Sequence, residues 1–271
     1  PVAMADISDL KMTIVTNDPT KRYYYTFLFD DKYRVKIATR NINIPGVQNF
    51  RDLGGYPSYS TKKQMRWGMI YRSAEIDSLN FLTQGAQEPR YQDTYRLAGI
   101  FGDRQAVALQ KGFNVVHIPL ATGDMEDILK GIREEKIKCD TVYRMVERMN
   151  RVLIDQYTKE IPADFDILLD KNSYPVVIHC SSGKGRTGIV SALVLAALGI
   201  NEDIIMEDYR LSNDYFNIPS ASKYAYQLPA RSQEAIHYPF LRTRGFPERG
   251  QKTKRNADTV TWILTCGKVS D

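Results

Sequence analysis

Cysteine is scarce in this chain: 271 residues carry three, Cys139, Cys180 and Cys266. Three such residues cannot build the disulfide framework of a small secreted domain. Histidine is equally scarce, and His117 and His237 have no neighbours at metal-ligand spacing, so no metal is assigned. Long apolar runs are missing too. The longest, residues 188–200, falls short of the ~20 residues a membrane helix needs. Charge of neither sign dominates: 37 basic against 32 acidic residues leave a net +5, which suits an anionic substrate but is too mild for a nucleic-acid footprint. There is no internal repeat and no low-complexity tract, which excludes solenoids and arrays. No secretory leader is visible, but the chain starts at Pro1 rather than Met, so its natural N-terminus is expected upstream. The compartment stays open, with the reading inclined towards an exported bacterial protein.

What is present is an ordinary globular composition, 43% apolar and 25% charged, enough for one good core and a small appendage. Residues 1–44 read as the appendage. Residues 11–16 alternate roughly, residues 23–29 are aromatic and β-prone, and residues 33–39 alternate Tyr, Val and Ile with basic residues. With Asp30-Asp31-Lys32 as a turn, this is a two- or three-stranded β piece, with the end of a truncated β domain as one reading of it. Its expected role is packing against the main domain, with a binding module as the alternative.

Residues 45–271 are read as the main domain. The strongest stretch is 176–188, VVIHCSSGKGRTG. Val176-Val177-Ile178 is a short β-branched run of the kind that forms a buried strand. His179 and Cys180 follow, then a small-residue loop. An apolar helical pattern runs from Thr187 and stops at Gly199, a good helix end. A strand, a tight loop and a helix start leave backbone N–H groups unpaired and converging, and the helix dipole adds to their attraction for an anion. The thiolate, the nucleophilic form of cysteine, is one anion such a loop favours. Arg186 can hold two oxygens of a phosphoryl group with its planar fork, and Gly183 and Gly185 let the backbone close around a tetrahedral dianion. Together these features describe phosphate-ester cleavage through a cysteinyl-phosphate, with Thr187 placed to hydrogen-bond the sulfur. His179 is expected to buttress the loop by hydrogen bonding rather than to act as a base.

His-Cys, five residues, Arg and Thr resemble the signature loop of the cysteine-based protein tyrosine phosphatase superfamily. Residues 49–56, NFRDLGGY, and 67–73, WGMIYRS, narrow the likeness to the bacterial and fungal protein tyrosine/serine phosphatases of the Tyr_phosphatase3 type. Leu198-Gly199-Ile200, Glu202-Asp203-Ile204, and Asp208-Tyr209 with Ser212-Asn213 also follow that family, in order. The resemblance implies an α/β cysteine-phosphatase fold, a central, mostly parallel sheet with helices on both faces. It places substrate-binding roles on Ser181, Ser182, Gly183, Lys184 and Gly185 in the loop, and on Arg51 and Asp52. Two features depart from the family. Gly185 stands where members often carry an aspartate before the arginine, so that residue's role does not transfer. Residues 79–112 are longer and more polar than a compact helix–strand unit, and an insertion is expected near residues 84–105.

Downstream, residues 113–120, FNVVHIPL, read as a strand running into Pro119. Superfamily enzymes place a general acid on a mobile loop after such a strand. Asp124, preceded by Gly123, is the first choice, with Glu126 and Asp127 as alternatives. Residues 141–159 have helical spacing, with Val142, Met145, Val146, Met149, Val152, Leu153 and Tyr157 on one apolar face. Residues 232–241 fit a short helix broken at Pro239, and 259–265 a final strand. Residues 242–255 hold six basic residues, Arg242, Arg244, Arg249, Lys252, Lys254 and Arg255, against Glu248, a solvated loop with a phospholipid-facing role as the alternative.

The expected activity is two-step hydrolysis of phosphomonoesters, on phosphotyrosine first, with phosphoserine or phosphothreonine and phosphoinositides as further substrates. The partner is therefore a phosphorylated protein or lipid; membrane contact is expected through the substrate alone, and the oligomeric state is open. No cofactor is required. The alternatives are a catalytically silent phosphate-binding module and a sulfur-transfer or arsenate-reducing enzyme with a similar loop. The last would need resolving thiols close to Cys180.

Overall fold

Val176, Val177 and Ile178 are wholly buried in strand β5 (Val176–His179), around which the described part of the main unit is built. The computed structural model describes residues 3–6, 8, 11–15, 22–44, 47–76, 165–180 and 182–216, with single positions between 116 and 152. The chain divides into two units, Pro1–Thr39 and Arg40–Asp271.

In the first unit, β1 (Tyr24–Phe29) and β2 (Tyr33–Ala38) pair antiparallel from Tyr24↔Ala38 to Phe29↔Tyr33. Asp30 and Asp31 carry the turn at φ 49° and 52°, the left-handed pair that a type I′ hairpin requires and that aspartate tolerates. Residues 11–15 take no strand conformation, so the described β piece has two strands. The division falls between Thr39 and Arg40, not after residue 44, because residues 40–44 pair with the main unit. Asn41 bridges to Arg51, the Ile42 amide donates to the Phe50 carbonyl, and the Asp52 amide donates to the Arg40 carbonyl.

The main unit's described sheet has the order β3 (Arg51–Asp52), β4 (Ile70–Ser73), β5. β3 runs antiparallel to β4, whereas β4 and β5 are parallel, with Ile70↔Val176 through Ser73↔His179 in register. The side-chain period of two then sorts the core. Ile70, Val176 and Ile178 join Leu53 and the helical residues Val190, Val194 and Leu195 on one face. Tyr71 and Val177 join Val47, Phe50 and Ile76 on the other, where the Phe50 and Tyr71 rings stack at 5.5 Å. A sheet apolar on both faces is the pattern of α/β proteins. Each fully buried Val, Leu or Ile adds about 1.5–3 kcal/mol, so this strand is well anchored.

Helix α1 (Gly185–Ala197) is buried nearly all round and ends as its sequence indicates. Gly199 sits at φ 72°, its amide donating to the Ala196 carbonyl and that of Ile200 to the Leu195 carbonyl, a Schellman close. Helix α2 (Glu202–Arg210) starts at Asn201, whose side chain caps the Asp203 amide, and is followed by the short α3 (Ser212–Tyr215). Gly188 lets α1 and α2 cross closely, since a Cβ there would stand 2.7 Å from the Tyr209 ring.

Thr141, Arg144, Arg148 and Val152 are helical, as expected, but Val152 is 40% exposed. Steps of four residues from Arg144 through Arg148 lead to Val152, so it lies on their solvated stripe and not on the apolar face. The expected strands at 113–120 and 259–265, the insertion near 84–105, the helix at 232–241 and the basic tail lie outside the described residues. Among the described residues no helix is long and apolar enough to cross a membrane.

The α1–α2 crossing yields a paired prediction. Gly188→Val should cost about 1–3 kcal/mol in urea unfolding through overpacking. Gly185→Ala, whose Cβ meets nothing within 4 Å, should be neutral or gain up to ~1 kcal/mol. Equal stabilities would mean the crossing relaxes without cost.

Candidate active site

Cys180 directly follows β5 and is 2% exposed. Ser182, Gly183 and Lys184 lead into α1, with Gly185 and Arg186 its first two residues. Gly183 sits at φ 66°, and a Cβ there would fall 2.5 Å from the Ser73 carbonyl group, so the loop lies directly on the end of β4.

Two side chains set the orientation of its peptide groups. Asn49 Nδ2 donates to the carbonyls of Ser182 (3.1 Å) and Gly183 (3.0 Å). Arg72 Nη2 donates to the same Gly183 carbonyl at 2.8 Å. In a trans peptide the N–H points opposite to the C=O. Holding those two carbonyls outward therefore turns the amides of Gly183 and Lys184 the other way. The first-turn amides of α1 precede any intrahelical partner, and the helix dipole is positive there. The amides of Gly183 and Lys184 therefore face away from the tethering side, just before the first turn of α1 and close to Arg186 in the chain.

The anchors are themselves held by a buried ionic cluster. Arg51 is 0% exposed and Asp208, on α2, 1%. Asp208 accepts from Arg51 Nε (3.3 Å), Arg72 Nη1 (2.6 Å) and the Tyr56 hydroxyl (3.0 Å). Arg51 also donates to the Asp208 carbonyl (2.8 Å), the Ser212 hydroxyl (3.1 Å) and the Asn49 side-chain carbonyl. Asn49, at φ 57°, is thereby locked with its amide group facing the loop. Burial alone would push the Asp208 carboxyl up, but the charges of Arg51 and Arg72 and their hydrogen bonds hold it at about 2. Burial, then repulsion from Arg72, lowers Arg51 to about 10 against the pull of Asp208, which leaves it protonated at neutral pH. Tyr56 is pushed upward by burial and by Asp208, so it stays a donor.

Several expectations need correction. Arg51 and Asp52 do not present a substrate surface. Arg51 is consumed by the cluster, and the buried Asp52 carboxylate clips two turns by accepting the amides of Gly54 and Gly68, both at 2.7 Å. Lys184 is not an exposed rim cation: it is 5% exposed, and its Nζ donates to Asn213 Oδ1 at 3.3 Å. The glycines on either side free the backbone, but the ammonium turns towards α3. His179 Nδ1 is buried without a hydrogen-bond partner among the described residues, so the expected buttressing bond is not made by that atom. Burial first, and then the Arg186 charge, lower His179 to about 4, so it is neutral near pH 7. Thr187 Oγ1 is likewise buried and without a partner among the described residues, so its hydroxyl does not reach the sulfur here. Ser181, Asp124, Glu126 and Asp127 lie outside the described residues.

Sequence reasoning missed the cluster. Arg72 inside the buried run Ile70-Tyr71-Arg72-Ser73 was the available signal, because a buried arginine requires an acid. Asp208, three residues after buried Ile205 on the same helical face, is that acid.

A tethered loop placed between a buried parallel strand and a helix, directly after a cysteine, places the described unit among α/β proteins. Residues 42–245 match the tyrosine phosphatase family, and the chain belongs to that family as a protein-tyrosine-phosphatase-like enzyme. It is 27% identical over 223 residues to the triple specificity protein phosphatase PtpB of Mycobacterium tuberculosis, covering 73% of this chain and 75% of that one. It is also 27% identical over 185 residues to a protein of Cupriavidus necator provisionally named a tyrosine-protein phosphatase, covering 62% of this chain and 61% of that relative's length. The crystal structure of P. aeruginosa TpbA overlaps 64% of this chain and 88% of its own at 16% identity, with a TM-score of 0.30, too loose to carry an argument.

The shifted groups set an acid response. His179 is held below its ordinary 6.5, so the stability it contributes is present above pH 6.5 and lost as pH falls towards 4. Asp208 is held below 3.8, so its contribution is present above that value and lost as pH falls through about 2. Unfolding by urea should therefore show a decline between pH 6.5 and 4 that His179→Gln flattens by about 1.4 kcal/mol per pH unit. An unchanged slope in the variant would mean that His179 takes up no proton on unfolding.

Proposed function

We propose that the protein hydrolyses phosphomonoesters through a cysteinyl-phosphate intermediate. The observation that carries this reading is the outward tethering of the Ser182 and Gly183 carbonyls, which leaves an inward set of N–H donors beside Cys180. The Cys180 thiolate attacks phosphorus while Arg186 and the loop amides bind the non-bridging oxygens, and the ester P–O bond breaks. The leaving oxygen takes a proton from an acid after Pro119, with Asp124 the first choice and Glu126 or Asp127 the alternatives. The resulting carboxylate accepts a proton from water as that water attacks phosphorus, and the P–S bond breaks to release phosphate. Thr187 Oγ1, which has no partner among the described residues, is proposed to turn to the sulfur as it departs. Neutral His179 takes no proton-transfer role.

Phosphotyrosine is the proposed principal substrate. Turnover of phosphoserine, phosphothreonine and phosphoinositides is proposed beside it, in keeping with the triple specificity in the name of the mycobacterial relative. The space at Gly185 supports this breadth, since no described residue lies within 4 Å of a Cβ placed there. The surrounding fold is proposed to be a central, mostly parallel sheet covered on both faces, supported by the parallel β4–β5 pair and its two apolar faces. A silent binding module is disfavoured by the joint presence of Cys180, Arg186 and Thr187. Cys180 is the cysteine within the described residues, so nothing there supplies the resolving thiol that arsenate reduction needs.

Phosphate release from a phosphotyrosine peptide tests the proposal, with Cys180→Ser as control: turnover by the variant would overturn the cysteine mechanism. Asp124→Asn should lower kcat by about 10²–10⁴, and by much less for a substrate with a good leaving group. Near-normal Asp124→Asn with a crippled Asp127→Asn would move the acid to Asp127. For breadth, Gly185→Asp should lower kcat/KM several-fold more for a polyphosphorylated inositol head group than for the peptide, because it adds a negative charge in the open space. Equal losses would remove the lipid substrates.

A further inference from the structure

The ionic cluster behind the loop is not neutral. Two guanidinium groups, of Arg51 and Arg72, face one carboxylate, that of Asp208, in a region that water does not reach. Its other members are uncharged: Asn49, Ser212, and a Tyr56 that stays protonated. Asp52, next to Arg51 in the chain, adds a second buried carboxylate, whose acceptors serve the amides of Gly54 and Gly68, and Arg40, with Nη1 on the Asp52 carbonyl, adds a third guanidinium. Among the described residues one positive charge is therefore left over at the back of the loop, and Arg72 carries it to the loop, with Nη2 on the Gly183 carbonyl. Arg72 Nε is buried without a partner among the described residues, so its hydrogen-bonding capacity is not used up. A simple clamp for two carbonyls would not need this surplus; a neutral amide such as Asn49 already serves in that way. On the loop's other side, Arg186 adds positive charge, and His179 is held neutral.

We infer that the Arg51–Arg72–Asp208 cluster belongs to the oxyanion-binding apparatus: its uncompensated charge attracts the phosphoryl group through the loop, with Arg72 as the positioning residue. An unscreened charge at low dielectric acts over several ångströms without contact, so a group that never touches substrate still sets its affinity. Asp208 then has two opposed effects: it holds both arginines in place and cancels half of their charge. A scaffold and an electrostatic device consequently predict different mutational signs.

The inference rests on the loop being a phosphate site, so the test reads binding without turnover. Inorganic phosphate affinity is measured by equilibrium dialysis at fixed ionic strength, in a Cys180→Ser background, with thermal melts reporting folding. Failure of that background protein to bind phosphate strikes the phosphate-site reading itself. If it binds, Arg72→Met should weaken binding by about tenfold or more, the effect of one lost charge at close range. Arg72→Lys, which keeps the charge but not the fork, should stay within about threefold. Asp208→Asn should bind as tightly or more tightly, despite a lower melting temperature. If Arg72→Lys is as weak as Arg72→Met, or Asp208→Asn falls with it, the cluster is a scaffold and the electrostatic role is wrong. Should Asp208→Asn not fold, the Lys and Met pair decides alone.

Discussion

Asp208 sits where β3, β4, α2 and the loop after Cys180 come together, and its carboxylate is the counter-charge for two arginines that water does not reach. Taking three charges out of solvent is expensive, and the mutual attraction repays it only when geometry and hydrogen bonding are nearly complete. Here the Asp208 carboxylate accepts three hydrogen bonds, from two arginines and a tyrosine. Removing one partner of such a set typically costs 3–5 kcal/mol because the others stay buried and uncompensated. The site's backbone geometry hangs on that set: Arg51 fixes Asn49, and Asn49 and Arg72 fix the loop carbonyls.

A chain of constraints therefore runs from a helix downstream of the loop back into it. α1 supplies its dipole and Arg186, but a helix start alone leaves the loop before it free to choose its peptide orientations. The choice is made from behind, by side chains on β3, β4 and the turn at Asn49. The close crossing at Gly188 brings α2, and with it Asp208, within reach of Arg72. Packing and electrostatics are coupled here, since anything that separates α1 from α2 also separates the carboxylate from its arginines.

Much of this was legible in the sequence, for identifiable reasons. Strand, loop and helix around Cys180 declared themselves because a β-branched run, small residues and an apolar helical period each leave a local mark, and the close at Gly199 did the same. The hairpin was readable from alternation and the Asp-Asp turn. Side-chain destinations were not. Arg51 and Asp52 look like ligands for an anion and an amide on paper, and only tertiary contacts reveal that both are consumed inside. Lys184 between two glycines looks free to extend, yet Asn213, distant in sequence, draws it down. The pairing of Asn41 with Arg51 was not legible because that strand is two residues long and too short to leave a period.

The position of Lys184 bears on substrate choice. A monoester on an aromatic ring brings one dianion, which Arg186 and the loop amides can match. A head group with further phosphates needs additional positive charge outside the loop, and a lysine folded towards α3 does not offer it there. What the loop does offer is room at Gly185, where no described residue lies within 4 Å of a Cβ position. Room without a rim cation among the described residues favours substrates that differ in shape over substrates that differ in charge. By that reasoning, the proposed breadth across phosphotyrosine, phosphoserine and phosphothreonine has more support from this loop than the proposed breadth towards inositol lipids. Any lipid preference must draw its cations from other parts of the chain.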